Sequence, residues 1–174
     1  MPITRLNHAV LYVRNVERSV AFYTEILGFR VLGIGGELRG AAFLQAPGST
    51  NDHDIGLFEI GDAAGPTTAG REQVGLYHLA WEVDTLDELD RLAHRLQDAG
   101  ALAGASDHST TKSLYAKDPD GIEFEVAWIV PADRLDESVL EGRAGIKPLD
   151  IDAAKAQYGS DTKGGVGISQ PAAV

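Results

Sequence analysis

Five histidines are the residues of this sequence best suited to do chemistry. They are His8, His53, His78, His94 and His108. The chain contains no cysteine, which excludes disulfide frameworks, thiolate zinc sites, iron–sulfur clusters and a cysteine nucleophile. Any metal chemistry must therefore come from histidine and carboxylate side chains.

Two of these histidines occupy the same place in an internal repeat. His8 lies in Leu-Asn-His-Ala-Val-Leu-Tyr-Val, and His78 lies in Leu-Tyr-His-Leu-Ala-Trp-Glu-Val. Alternation with a period of two predicts strands over Asn7–Val13 and Tyr77–Val83. In the first strand, His8 shares a face with Val10 and Tyr12, and the other face carries Ala9, Leu11 and Val13.

An amphipathic segment follows each of these strands and predicts a helix. Asn15 and the pair Asp84-Thr85 can cap the two helices at their N-termini, and Gly28 and Gly100 can end them in the left-handed conformation. Further short strands are predicted after the helices, at Arg30–Gly33, Ala41–Gln45, Asp54–Ile60, Lys112–Ala116 and Ile122–Val130. Asp118-Pro119-Asp120-Gly121 predicts a turn between the last two strands. The first half is therefore predicted to have the order β-α-β-β-β, and the repeat assigns the same order to the second half, in which two of the three last strands are located.

The predicted organisation is an α+β chain of two βαβββ modules. They span residues 1–62 and 75–130, and a stretch rich in Gly, Ala and Thr connects them. Residues 131–174 form a tail with weak periodicity, for which we expect one short helix near Pro131–Leu140 and an otherwise irregular course.

The charge and hydropathy of the chain exclude several partners. It has 174 residues, with 15 Lys and Arg against 26 Asp and Glu and a net charge of −11, so phosphate backbones are repelled and nucleic acid is not expected. No apolar run approaches the roughly 18–20 residues of a membrane span, and residues 1–5 do not begin a signal peptide. We therefore expect a cytoplasmic protein that does not bind membranes.

A β-α-β-β-β repeat with a histidine at the same strand position in each half resembles the vicinal oxygen chelate superfamily. Glyoxalases, bleomycin-resistance proteins and type I extradiol dioxygenases belong to it, and the resemblance covers residues 4–130. It implies that the two modules pair into a curled mixed sheet around one metal site. The implied ligands are His8, His78 and the Glu125 of Asp-Pro-Asp-Gly-Ile-Glu-Phe-Glu. Two imidazoles and one carboxylate are the ligands of non-haem Fe(II) oxygenases, so Fe(II), or Mn(II), is the expected metal.

Within this superfamily, the remaining motifs resemble those of extradiol dioxygenases. His53 opens His-Asp-Ile-Gly, a setting similar to that of the histidine beside dioxygen in those enzymes. Tyr115 follows His108 by seven residues and precedes Glu125 by ten, the spacing of the extradiol signature. The resemblance implies that His53 stabilises charge developing on dioxygen and acts as an acid or base, whereas His108 and Tyr115 hydrogen-bond the substrate oxygens.

The resemblance thus implies an extradiol, catechol 2,3-type dioxygenase of aromatic catabolism. Its partners would be a catechol-type substrate and O₂, and the fold usually assembles into a homodimer. Two alternatives stay open: a glyoxalase-like lyase or isomerase with His53 as a fourth ligand, and a non-catalytic small-molecule binder. His94 lies on the polar face of the second helix and is expected to be solvated, and Lys112 is expected to be a surface lysine without a specific role.

Overall fold

The computed structural model describes most of the chain, at residues 2–3, 5–33, 38–70 and 72–165. The chain divides into two compact units. Unit 1 comprises Met1–Thr68 with Asp118–Gly121, and unit 2 comprises Ala69–Lys117 with Ile122–Val174. Among the described residues, no helix is long and apolar enough to cross a membrane.

Unit 1 is a four-stranded mixed sheet with one helix. Its elements are β1 (Ala9–Val13), α1 (Val16–Glu25), β2 (Arg30–Leu32), β3 (Ala41–Gln45) and β4 (Ile55–Glu59). The strand order is β1-β4-β3-β2, in which β1 runs parallel to β4 and the other pairs are antiparallel. The predicted side-chain alternation in β1 is confirmed, since Leu11 and Val13 are buried while Val10 and Tyr12 are exposed.

Unit 2 repeats this topology and extends it with the tail. Its first elements are β5 (Leu79–Glu82), α2 (Leu86–Asp98), β6 (Leu102–Asp107), β7 (Thr111–Lys117) and β8 (Glu123–Ile129). The tail adds two 3₁₀ turns (Ala132–Arg134 and Gly142–Ala144), α3 (Glu137–Glu141), β9 (Lys147–Pro148) and α4 (Ile151–Tyr158). The sheet order is β5-β8-β7-β6-β9, with β5 parallel to β8. The predicted α+β class and the βαβββ order of both repeats are confirmed.

Local sequence signals account for the two long helices. The Asn15 and Thr85 side chains accept hydrogen bonds from the backbone N–H groups of Arg18 and Glu88, which is N-capping as predicted. The four leucines at helical spacing in α2 are all buried, at Leu86, Leu89, Leu92 and Leu96. Gly28 and Gly100 adopt φ values of 78° and 65° after the helices, the left-handed conformation that glycine adopts without steric penalty.

The tail is more regular than its sequence indicates. Residues 131–165 contain α4 and the short strand β9 in addition to the helix expected near Pro131–Leu140. Trp128 of β8 packs against Tyr158 of α4, with ring centroids 5.4 Å apart, and both side chains are buried. Lys155 of α4 bridges Asp87 and Asp90 of α2 at 2.9 and 2.5 Å. The tail therefore completes the hydrophobic core of unit 2, whereas residues 166–174 lie outside the described part of the chain.

Candidate metal centre and its hydrogen-bonding residues

The pairing of β5 with β8 brings two predicted metal ligands together in unit 2. His78 immediately precedes β5, and Glu125 lies in the middle of β8, opposite Ala80 in the parallel register. His78 Nε2 and Glu125 Oε2 lie 3.1 Å apart, and both side chains are largely buried. Two donor atoms of ligand type therefore converge at this point of the sheet.

The β6–β7 hairpin places His108 and Tyr115 beside this pair. His108 Nε2 and the Tyr115 hydroxyl share a hydrogen bond of 2.8 Å. Tyr115 lies directly opposite Glu125 in the antiparallel register of β7 and β8, and its ring centroid is 6.0 Å from that of His78. Unit 2 thus gathers four of the six predicted site residues on neighbouring strands.

The surroundings of Tyr115 keep its phenol protonated. Burial raises the pKa of Tyr115 above its usual value, and the negative charge of Glu125 raises it further. At neutral pH Tyr115 is therefore a neutral hydroxyl that can donate to His108 Nε2 or to a bound oxygen.

Unit 1 contributes a second pair of predicted residues. The rings of His8 and His53 lie 4.4 Å apart, and Phe43 packs edge-on against His53 at 5.1 Å. His8 Nδ1 is 2.8 Å from Asn7 Oδ1, and His53 Nδ1 is 3.0 Å from Asp52 Oδ2. Since each Nδ1 donates to an oxygen acceptor, the proton is held there and both Nε2 atoms keep a lone pair for a metal or a substrate.

The donor set in unit 2 fits a divalent cation. Two ligands at right angles, each about 2.1 Å from a metal ion, lie about 3.0 Å from each other, which agrees with the 3.1 Å between His78 and Glu125. Among the described residues, the buried His78 Nδ1 finds no hydrogen-bond partner. In the part of the chain that the structure describes, no three His, Asp or Glu side chains gather closely enough to hold a metal ion.

Two other predictions about single residues have clear outcomes. His94 is largely exposed on α2, with its Nδ1 near the Asp90 backbone carbonyl at 2.9 Å, so its assignment as a solvated residue is confirmed. The expectation that Lys112 is a surface lysine is wrong, because it is 2% exposed. Lys112 lies on the same face of β7 as Leu114 and Ala116, which are both buried. This spacing of two residues is the sequence signal that would have predicted its burial.

Comparison with known proteins places the whole repeat region in one family. The family model described as "Glyoxalase/Bleomycin resistance protein/Dioxygenase superfamily" matches residues 5–126. A catechol-2,3-dioxygenase from Bacillus subtilis is 32% identical over 123 residues, which are 71% of this chain but 41% of that protein. The chain therefore spans less than half of that relative's length.

Two further similarities cover nearly the full length of the compared proteins. A lactoylglutathione lyase from Neisseria meningitidis is 29% identical over 133 residues, covering 70% of this chain and 88% of the lyase. The crystal structure of a glyoxylase/bleomycin resistance protein/dioxygenase domain from Frankia sp. EAN1pec matches with a TM-score of 0.59 at 29% identity, covering 72% of this chain and 92% of that domain. The chain belongs to the glyoxalase/bleomycin resistance protein/dioxygenase superfamily, also called the vicinal oxygen chelate superfamily.

Proposed function

We propose that this chain is a metal-dependent extradiol dioxygenase, which opens a catechol-type ring beside its two hydroxyls with O₂. The observation that carries the proposal is the 2.8 Å hydrogen bond between His108 Nε2 and the Tyr115 hydroxyl. It belongs to the β6–β7 hairpin, which pairs through β7 with β8, and the β5–β8 pair brings His78 and Glu125 within 3.1 Å of each other. A pair of proton-carrying side chains next to two side chains that could hold a metal suits a reaction in which a diol substrate must lose and regain protons.

The metal would be held by His8, His78 and Glu125. Fe(II) suits this donor set, and Mn(II) is the second candidate. When bound, the metal would supply Lewis acidity toward the vicinal oxygens of the substrate and redox chemistry toward dioxygen. The hydrogen bond from His8 Nδ1 to Asn7 supports the assignment of His8, because it leaves Nε2 unprotonated and able to coordinate.

His108 and Tyr115 would manage the protons of the substrate. The raised pKa of Tyr115 keeps its hydroxyl proton in place at neutral pH, so Tyr115 can donate a hydrogen bond to a deprotonated substrate oxygen. His108 Nε2, in contact with the same hydroxyl, can take up the proton that the diol releases and return it later. Tyr115 thereby orients the substrate, and His108 stores the proton.

His53 would act near dioxygen. Its Nδ1 is held by Asp52 at 3.0 Å, and Phe43 packs against its ring, so the imidazole has a fixed orientation. A proton taken up at Nε2 during the reaction would let this ring stabilise negative charge that develops on oxygen, so that His53 acts as an acid or base.

A glyoxalase-like lyase or isomerase is the second candidate, and two observations favour it. The chain covers 88% of the lactoylglutathione lyase but 41% of the catechol-2,3-dioxygenase. In addition, His53 lies 4.4 Å from His8, measured between ring centroids, which is close enough for His53 to be a fourth ligand. Four protein ligands suit a metal that polarises one substrate without O₂.

The two candidates differ in their need for O₂ and in their substrates. Protein loaded anaerobically with Fe(II) is offered a panel of catechols in an oxygen electrode, and separately a hemithioacetal with Ni(II) or Zn(II). The dioxygenase predicts oxygen uptake with formation of a yellow ring-opened semialdehyde. Absence of oxygen uptake with every catechol, together with turnover of the hemithioacetal, contradicts the proposal and supports the lyase. The exposed His94 provides the matched control, since His94→Asn is expected to act like the wild type while His108→Asn loses activity.

A further inference from the structure

Lys112 is a buried lysine that the proposed chemistry does not use. Its side chain is 3% exposed and lies on the opposite face of β7 from Tyr115. A charged ammonium is rarely buried unless it is paired. The partners that Lys112 finds therefore indicate why it occupies this position.

The Lys112 ammonium bonds to the residues on both sides of His108. Nζ donates to Asp107 Oδ1 at 2.6 Å and to the Ser109 backbone carbonyl at 3.0 Å. Asp107 Oδ1 also accepts the Ser109 backbone N–H at 2.7 Å. We call these three residues, Asp107, Ser109 and Lys112, the lysine clamp. Its hydrogen bonds close a ring that includes the backbone of His108, while the His108 side chain contacts the Tyr115 hydroxyl.

The clamp holds a backbone conformation that Ser109 does not favour. Ser109 has a φ of 67° and is the one residue other than glycine with a positive φ in the described part of the chain. A non-glycine residue keeps this left-handed conformation when its surroundings enforce it. Here the N–H of Ser109 is bonded to Asp107, its carbonyl to Lys112 and its hydroxyl to the Val139 carbonyl at 2.8 Å.

The C-terminal tail packs against the clamp. Val139 of α3 accepts the Ser109 hydroxyl, and Lys112 Nζ lies 5.5 Å from the centre of the Tyr158 ring of α4. A polar cavity of about 160 Å³ lies between the hairpin and the tail, lined in part by Asp107, Ser109, Lys112 and Tyr158. Because the Lys112 side chain is almost fully buried, its charge-assisted hydrogen bonds are stronger than they would be at an open surface.

We propose that Lys112 is a positioning residue, which fixes the His108 turn so that His108 Nε2 stays within hydrogen-bond reach of the Tyr115 hydroxyl. The clamp restrains both peptide neighbours of His108, whereas the imidazole itself is held at its far end by the 2.8 Å bond to Tyr115. The catalytic part of this inference rests on the proposed function of His108, and the geometric part does not. It also gives the tail a role, because the tail encloses the clamp.

The test replaces Lys112 with methionine, which keeps the length of the side chain and removes its three donors. Lys117→Met is the matched control: the same strand carries Lys117, which is 54% exposed and pairs with Glu123 at 3.5 Å. Histidine-selective ¹⁵N NMR reports the tautomer and hydrogen bonding of the His108 ring. Steady-state kinetics and metal content are measured on the same samples.

For Lys112→Met we expect the hydrogen-bonded Nε2 signal of His108 to be lost and kcat to fall by about 100-fold, since displacement of a catalytic group by about 1 Å costs this much. KM and metal content are expected to change by less than about 3-fold, because the clamp touches neither His78 nor Glu125. The Lys117→Met protein is expected to match the wild type in all four measurements. If Lys112→Met does not fold, Asp107→Asn weakens the same clamp without removing it and is expected to give a smaller change in the same direction.

An unchanged His108 ring signal in a folded clamp variant overturns the inference, even if that variant is less stable. A fall in kcat accompanied by loss of metal also overturns it, because Lys112 would then act on the metal site rather than on His108. If the wild-type protein cleaves no catechol, the proposed function fails, and the ring signal still decides whether Lys112 positions His108.

Discussion

Removal of the Tyr115 hydroxyl is the substitution that separates catalysis from stability most cleanly. Tyr115→Phe keeps the ring that packs 6.0 Å from His78 and deletes the one hydrogen bond to His108. A typical hydrogen bond contributes about 0.5–1.5 kcal/mol to the free energy of unfolding. Because both side chains are partly exposed, water can replace the lost partner, and we expect a loss of about 1 kcal/mol, or about 2–4 °C in Tm.

This loss of stability is too small to affect activity through unfolding. A domain with about 5 kcal/mol of stability is still more than about 99% folded after losing 1 kcal/mol. General acid–base groups contribute about 10²–10⁴ in rate. If Tyr115 relays protons between the substrate and His108, Tyr115→Phe is expected to lower kcat by about 100-fold or more in a fully folded protein.

The assay is oxygen uptake by the Fe(II)-loaded enzyme with a saturating catechol, together with metal analysis and thermal unfolding of each sample. Tyr12→Phe is the control, because Tyr12 is 71% exposed on β1 and its hydroxyl has no assigned role. A Tyr115→Phe enzyme with normal metal content and a kcat within about 2-fold of the wild type would refute the role given to Tyr115.

Three other predictions concern the metal, the core and the response to alkali. Glu125→Ala is expected to lose most metal binding in equilibrium dialysis, whereas Glu123→Ala retains it, and the reverse pattern would show that the wrong carboxylate was assigned. Leu89→Ala in the fully buried face of α2 is expected to lower the free energy of urea unfolding by about 2–5 kcal/mol; a loss below about 1 kcal/mol would contradict tight packing there. Burial and then Asp118 raise the pKa of Tyr23 well above its usual value. The unfolded chain therefore releases this proton first, and stability is expected to fall as the pH rises beyond about 10. Tyr23→Phe is expected to flatten that fall in urea titrations between about pH 8 and 11, and an unchanged slope would contradict the assignment.

The parts of the fold that sequence patterns predict are those controlled by local interactions. The caps at Asn15 and Thr85, the leucine face of α2 and the turn at Asp118–Gly121 depend on residues a few positions apart. In that turn the Gly121 N–H donates to the Asp118 carbonyl at 2.9 Å, with Gly121 at a φ of 82°. These features can be predicted from the sequence because the residue types at these positions are favoured there for one local physical reason.

Strand β6 illustrates what local patterns miss. Its sequence, Leu-Ala-Gly-Ala-Ser-Asp, has no β-branched or aromatic residue, so its intrinsic strand propensity is low. It is nevertheless extended, because β7 pairs with it on one side and β9 on the other. The sequence of β6 alone therefore does not indicate that two other strands pair with it.

Some features of the candidate site can likewise be predicted from the sequence, whereas others depend on contacts between distant residues. Repetition of His8 at His78 and the spacing from His108 to Tyr115 are sequence features, and the hydrogen bond between His108 and Tyr115 agrees with them. The clamp formed by Lys112 depends on a hairpin turn and on tail residues about 30 positions away, including the contact from Ser109 to Val139. The strand pattern around Lys112 does not indicate which residues would form hydrogen bonds with its ammonium group.

The central claim, that this chain cleaves a catechol ring with O₂, is tested most directly by a single-turnover reaction with isotopically labelled dioxygen. The Fe(II)-loaded protein is mixed anaerobically with a catechol that it binds, labelled O₂ is admitted, and the product is analysed by mass spectrometry. The account predicts a ring-opened semialdehyde that carries both labelled oxygen atoms. A ring-opened product with no labelled oxygen, or a catechol recovered intact from a protein that retains its metal, would contradict it.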